Sequence, residues 1–363
     1  MAEKEVISGI EAVGRGAFVA DCRAYFGCPI TLDGSKLKWF AQEFTRAGRT
    51  FLRASSEVSA INMVWGAAAT GSRAMTVTAS VGWGLMQETM SHLANSYLPA
   101  VIVVLQTGGP GQGSLKLSQM DYVPVTHGGG QGNYRNIVLA PASTQECYDL
   151  TQLAFYLADK YRNPVVVLLD TVVAEAAGSV EMKKLDFGPL PDKDWAVSGK
   201  GHHKDGKRRF VTSGQGFMPS PEIPNYLALL QGLNEKVAKM REGEVRCETL
   251  ETEDAEVVLV AFGYSSRVSQ EAMSTARAQG LKVGLVRPIT LWPFPEQVIR
   301  EKAGSGAKLL VVEDNLGGMD EDVRLAAEGK SSVDVINALD CHLPDAGGAI
   351  HPDKVLEEIK KLV

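Results

Sequence analysis

The chain has 363 residues, of which 45% are hydrophobic and 22% charged, enough at ~150 residues per domain for two domains with separate cores. Its 37 Lys and Arg against 43 Asp and Glu leave a net charge of −6, which excludes a nucleic-acid footprint spread over the surface; an anionic ligand must be met locally. The N-terminal MAEKEVISGIEAV lacks the apolar core of a secretory signal, and the longest aliphatic runs, PAVIVVL (99–105) and NPVVVLL (163–169), are too short to span a bilayer, so a cytoplasmic protein without a membrane partner is expected.

In chain order, AMTVTA (74–79), AVIVVLQ (100–106), NIVLAP (136–141) and PVVVLLD (164–170) read as strands. They are continuous apolar runs rather than alternating ones, as in a parallel sheet buried on both faces. Between them VSAINMVWGAAATG (58–71), LMQETMSHLANSY (85–97) and STQECYDLTQLAFYLADKY (143–161) read as helices, which makes residues 1–175 a doubly wound α/β domain. Residues 176–250 turn rich in Gly, Pro and charge and read as a linker or excursion carrying a helix near 225–243. A second, mostly parallel α/β unit occupies 251–363. Its strands are AEVVLVAFG (255–263), LKVGLVRP (281–288), KLLVVED (308–314) and VDVINAL (333–339), and its helices lie near 265–279, 295–303, 319–328 and 352–362.

The glycine-rich loops are not nucleotide fingerprints. GGPGQG (108–113) has the wrong spacing, its Pro110 lacks an N–H, and no well-placed acid follows some 20 positions on. GHHKDGKR (201–208) matches G-x-x-x-x-G-K, but Arg208 stands where Ser or Thr is needed and no apolar strand precedes it. With Lys200, Lys204, Lys207, Arg208 and Arg209 the stretch reads first as a solvated charged loop, with a phosphate or partner contact as the alternative. His202 and His203 point apart on most backbones, and Cys341–His342 reads as structural, so no metal site is expected. The five cysteines, at 22, 28, 147, 247 and 341, form no Cys-x-x-Cys pair and fit reduced cytosolic thiols rather than cluster ligands.

Glu57 is the one carboxylate in RASSEVSAINMVWGAAATGSRAMTVTAS, at the start of a helix so uniformly apolar or small that burial all round is expected. A first-turn acid complements the helix dipole, worth ~0.3–1 kcal/mol. The functional alternative is a carboxyl held in an apolar site to share a proton with a bound base.

GCPIT (27–31), SEVSAINMVWGAAATGSRAMTVTASVGWGLMQE (56–88), GGPGQGSLKLSQMDY (108–122), HGGGQGNYRNIVLAPAS (127–143), RPITLWPFP (287–295) and VVEDNLGGMDEDVRLA (311–326) resemble, in order and over almost the whole chain, the α subunit of the multi-subunit 2-oxoacid:ferredoxin oxidoreductases, which act on pyruvate, 2-ketoisovalerate or 2-oxoglutarate in anaerobic metabolism. The resemblance implies a pyrimidine-binding domain for thiamine diphosphate followed by a transketolase C-terminal-like domain. It assigns Glu57 as the catalytic acid on the pyrimidine N1′, and Pro29, Ser80 and Gly82 as further cofactor contacts. Thr31, in the family's PITP-like motif, would hydrogen-bond the substrate, although Leu32 replaces the usual Pro. Thr107 stands where many members carry an Arg that grips the substrate carboxylate. A hydroxyl cannot replace a bidentate cation, so Lys116 is the candidate replacement, and a bulkier or aromatic 2-oxo acid is expected.

The same resemblance implies oxidative decarboxylation to an acyl-coenzyme A and CO₂, with electrons leaving through 4Fe–4S clusters to ferredoxin. The chain contains no Gly-Asp pair, so the diphosphate and Mg²⁺ half-site falls to a β subunit. It also lacks cluster-type cysteine spacings, so the clusters fall to γ and ferredoxin-like δ subunits or fused equivalents. The alternatives are a β-type E1 subunit of a lipoamide-linked dehydrogenase, or a scaffold subunit without turnover.

Overall fold

The computed structural model describes residues 4–28, 34–114, 117–197, 199, 203, 205–214, 225–341 and 348–363. The chain begins with β1 (Lys4–Ser8), α1 (Gly9–Val19), β2 (Ala24–Gly27), α2 (Gly34–Arg46), β3 (Thr50–Arg53), α3 (Glu57–Ala69), β4 (Ala74–Ala79), α4 (Ser80–Asn95) and β5 (Ala100–Gln106). It continues through α5 (Tyr122–Thr126), β6 (Ile137–Leu139), α6 (Thr144–Tyr161), β7 (Pro164–Asp170), α7 (Thr171–Glu175) and β8 (Ala177–Glu181). All seven residues of β5 and of β7 are buried, as their continuous apolar sequences require of strands covered on both faces. The six strands β3-β2-β4-β5-β7-β6 lie parallel in that order, while β1 and β8 form a separate antiparallel ribbon.

The second half contributes α8 (Tyr226–Gly243), β9 (Cys247–Leu250), β10 (Val257–Ala261), α9 (Gly263–Ala278), β11 (Val283–Pro288), β12 (Thr290–Trp292) and α10 (Glu296–Gly304). After these come β13 (Lys308–Val312), α11 (Met319–Ala327), β14 (Val333–Ile336), α12 (Ala338–Cys341) and α13 (Pro352–Leu362). Its sheet has the order β14-β13-β10-β11-β9, parallel except for β9. β12 crosses over and pairs antiparallel with β6, adding a seventh strand to the first sheet.

The two halves are joined by buried polar contacts. Arg287 of β11 makes two parallel hydrogen bonds to the Glu146 carboxylate of α6, at 2.8 and 3.0 Å, and a third to Glu248 at 2.9 Å. Asp170, at the end of β7, accepts from Gln106 Nε2 at 2.9 Å and from the Tyr264 backbone N–H of α9 at 2.6 Å. Burial pushes its carboxyl up to about 7, against the Tyr264 N–H and the Gln119 side chain.

Two expectations change. The helix expected from residue 85 begins already at Ser80: of the two glycines that suggest a loop, Gly82 lets the first turn approach its neighbours, while Gly84 is exposed with open space around it. And α3 is not buried all round: Val58 is 44% exposed, and Asn62 and Gly66, on the same face, are exposed as well. That stripe has no cover among the described residues.

From β2 the chain passes outward to β3, then returns across to β4 on the other side of β2. The crevice at the carboxyl ends of β2 and β4 is therefore a topological switch point, where open α/β sheets receive ligands. Among the described residues no helix is long and apolar enough to cross a membrane.

Candidate functional site

Glu57 opens α3 directly over that switch point. Ser56 caps the helix by accepting from the Ser59 N–H at 3.1 Å, which satisfies an end N–H without the Glu57 side chain. The carboxylate is therefore not spent on capping. Glu57 is 7% exposed, and among the described residues its carboxylate has no hydrogen-bond partner. A largely buried carboxylate that no described residue holds is costly, so its retention needs a reason outside local stability.

Two neighbours define its surroundings. A Cβ on Gly82 would lie 2.7 Å from Glu57 Cγ and 2.1 Å from Thr78 Oγ1, so only glycine allows the first turn of α4 to close against the Glu57 side chain. Cys28, at the end of β2, faces the same carboxylate: burial, and next the Glu57 charge, push its thiol up to about 12. The thiol is thus a neutral, apolar wall. Val58, Val81 and Leu85, 44%, 44% and 54% exposed, stand on the first turns of the helices that carry Glu57 and Gly82.

A second polar cluster sits at the ends of β4 and β5. Ser80 Oγ accepts from the Thr107 N–H at 2.9 Å and from Thr107 Oγ1 at 2.8 Å, and donates a short hydrogen bond to Asp121. Thr107 and Asp121 are 9% and 6% exposed. Burial pushes the Asp121 carboxyl up to about 6, although the Ser80 hydroxyl and the Thr107 N–H favour its ionised form. Thr107 is therefore engaged with its own chain and lies beside an acid, an arrangement that repels a second carboxylate rather than gripping one. Beyond it the glycine loop closes through paired bonds between Gly108 and Ser114, at 2.8 and 2.6 Å.

The structure brings Glu57 and Gly82 into contact and joins Ser80 to Thr107; Pro29, Thr31 and Lys116 lie outside the described residues. Sequence reasoning missed Cys28 and Asp121. Asp121 had a signal, being the only Asp or Glu between Glu88 and Glu146. Among the described residues no group of three His, Cys, Asp or Glu is placed to hold a metal ion, and Cys22, Cys28, Cys147 and Cys247 are free. A largely buried carboxylate without a partner among the described residues, beside a glycine cradle, fits a pyrimidine ring, whereas nothing among those residues fits a diphosphate with its cation.

Residues 15–221 match the family described as pyruvate flavodoxin/ferredoxin oxidoreductase, thiamine diphosphate-binding, and residues 255–348 match pyruvate:ferredoxin oxidoreductase core domain II. The chain is 45% identical over 358 residues, 99% of its length and 97% of the relative's, to ketoisovalerate oxidoreductase subunit VorB of Methanothermobacter thermautotrophicus. It is 34% identical over 378 residues, 99% of each chain, to 2-oxoglutarate synthase subunit KorA of Methanothermobacter marburgensis. The 2-oxoglutarate:ferredoxin oxidoreductase from Magnetococcus marinus, solved with 2-oxoglutarate, coenzyme A and succinyl-CoA bound, superposes with a TM-score of 0.86 at 25% identity; it covers 99% of this chain, which spans 65% of that longer one. The chain is accordingly a thiamine diphosphate-binding subunit of the 2-oxoacid:ferredoxin oxidoreductase family.

Proposed function

We propose that this chain supplies the pyrimidine half of a thiamine diphosphate site in an oxidoreductase that converts a branched-chain 2-oxo acid to an acyl-coenzyme A and CO₂, with electrons leaving to ferredoxin. Bound thiamine diphosphate supplies the nucleophilic carbon and the electron sink for decarboxylation. Glu57 holds a proton against the pyrimidine N1′, and the buried position keeps water from competing for it. Gly82 keeps the carboxyl at the required depth, and the neutral Cys28 thiol keeps its surroundings apolar. The supporting observation is the burial of Glu57 at the switch point, without a partner among the described residues.

The exposed stripe of Val58, Asn62, Gly66, Val81 and Leu85 is read as the seat of a β subunit that brings the diphosphate and Mg²⁺ half-site. The 4Fe–4S clusters reside in γ and δ subunits or their fused equivalents, and the assembly works in the cytoplasm. The substrate class rests on the greater likeness to a ketoisovalerate enzyme subunit than to a 2-oxoglutarate one, together with an uncharged Thr107 tied to Ser80. A small branched side chain, rather than an aromatic one, is the bulk that this position receives. Lys116 and Thr31 are proposed to hold the substrate carboxylate and keto oxygen.

The test is Glu57→Gln in the reconstituted complex. Expected is a fall in kcat of ~10²–10⁴-fold, with unchanged subunit assembly and thermal midpoint. Retention of more than half the activity would contradict the assignment.

A further inference from the structure

The charged run near residue 205 has no part in this site. It folds over a cavity of about 1010 Å³ lined by Tyr97, Arg162, Trp195, Lys207, Arg208 and Phe210, among others. The cavity lies at the opposite end of the first sheet: α4 starts at Ser80 beside the cofactor crevice and ends at Asn95 next to the cavity wall. Sixteen helical residues separate the two by ~24 Å.

Arg162 lines this cavity without an ion pair among the described residues, and Lys236 is buried next to the lining residue Tyr97. Arg162 follows α6 in a left-handed conformation, φ 47°. Its Nε donates to the Tyr97 carbonyl at 3.1 Å, and its guanidinium stacks 4.4 Å from the Trp195 ring centre. Its remaining N–H groups have no hydrogen-bond partner among the described residues. Lys236 of α8 donates to the Ala94 carbonyl at 3.0 Å and places its ammonium 4.0 Å from the Tyr97 ring centre. Burial, and next the Arg162 charge, push Lys236 down to about 7. Lys207 and Arg208 add exposed charge at the rim, while Arg209 is taken up by Asp205 at 2.9 Å. Asp194 is the acid of the lining, exposed at the rim. In a chain of net charge −6 this concentration of positive charge, offset in part by the Asp194 charge acting on Arg162, is local. Phe210, 52% exposed, offers a bare aromatic face in the same wall.

We propose that this cavity binds a nucleoside phosphate, its phosphates against Arg162, Lys207 and Arg208 and its base against Phe210 and Trp195. Guanidinium groups match phosphate oxygens in pairs, aromatic faces suit a base, and the volume is that of a small-molecule pocket. Free ADP and the ADP portion of coenzyme A share this chemistry.

Calorimetric titration of the assembled complex with ADP, coenzyme A and inorganic phosphate tests it, using wild type, Arg162→Gln and the double variant Lys207→Gln/Arg208→Gln. The rim variant disturbs no buried contact and guards against misfolding in the first. Expected is ADP binding with a Kd below ~1 mM that weakens at least tenfold in both variants, and phosphate binding that is weaker than ADP binding. Variant-sensitive affinity for coenzyme A equal to that for ADP assigns the site to the shared portion; tighter coenzyme A binding adds its further phosphate. Sites elsewhere in the complex are recognised by their indifference to these substitutions. The proposal is overturned if no variant-sensitive binding of ADP or coenzyme A occurs up to millimolar concentration, if phosphate binds as tightly as ADP, or if only an acidic segment of a partner subunit occupies the cavity.

Discussion

Replacing Gly82 by Ala tests how Glu57 is held. The added methyl would sit 2.7 Å from Glu57 Cγ, 2.1 Å from Thr78 Oγ1 and 3.5 Å from Glu57 Cδ. The Thr78 hydroxyl makes only a 3.4 Å bond to Ala79 and can rotate aside, but the Glu57 side chain must retreat by roughly 1 Å to reach ordinary van der Waals separation. Two stability effects nearly cancel: a helical Gly→Ala change gains ~0.8–1 kcal/mol, and overpacking costs ~1–3 kcal/mol. The thermal midpoint should therefore move by only a few degrees. Catalysis should not be spared, because a displacement of ~1 Å in a positioned group costs on the order of 10²-fold. The assay is 2-oxo acid-dependent reduction of a ferredoxin or a viologen by the assembled complex, with thiamine diphosphate affinity measured alongside. Gly304→Ala, where an added Cβ meets nothing within 4 Å, is the control. Full kcat in the Gly82 variant would refute the reasoning that this contact fixes the catalytic carboxyl.

Thr107→Arg brings a guanidinium beside Asp121 and Ser80; the ratio of kcat/KM for small over branched 2-oxo acids should rise, and an unchanged ratio would show that position 107 does not set preference. Arg287→Met removes a 9%-exposed side chain from its bonds to Glu146 and Glu248; unfolding monitored by denaturant should lose about 3 kcal/mol, and a loss under 0.5 kcal/mol would contradict its role as the clamp between halves. Burial lifts Asp121 to about 6, and Asp170 and Glu313 to about 7. The folded chain therefore binds more protons than the unfolded chain between roughly pH 4 and 7, and stability conferred by these groups is lost as pH rises through that window. Thermal midpoints should be higher at pH 6 than at pH 7.5, and Asp121→Asn should flatten the slope.

Long apolar runs carried the central architecture: AVIVVLQ and PVVVLLD form β5 and β7 to the residue, because a strand buried on both faces needs no alternation. Short elements carried no such signal. AYFG and TLW are too brief to show a period, and β12 owes its place to pairing with a distant strand. Glycines at 82 and 84 obscured the start of α4: Gly82 serves close approach to another element, which local pattern does not record, and Gly84 sits in open space. Glu57 was legible as a charge out of place in an apolar run, whereas its lack of a partner needed the fold. Asp121 was visible as an isolated acid but acquires meaning only through Ser80 and Thr107, 41 and 14 residues earlier in the chain. The exposed stripe on α3 was misread as core because small and apolar residues serve a subunit boundary as well as an interior.

The most direct measurement is a structure of the assembled complex with thiamine diphosphate bound. The account predicts the Glu57 carboxyl within ~2.6–3.2 Å of the pyrimidine N1′, with the coenzyme lodged between this chain and a β subunit against Val58, Val81 and Leu85. A pyrimidine ring held by another residue, or a coenzyme enclosed wholly within a different subunit, would contradict it.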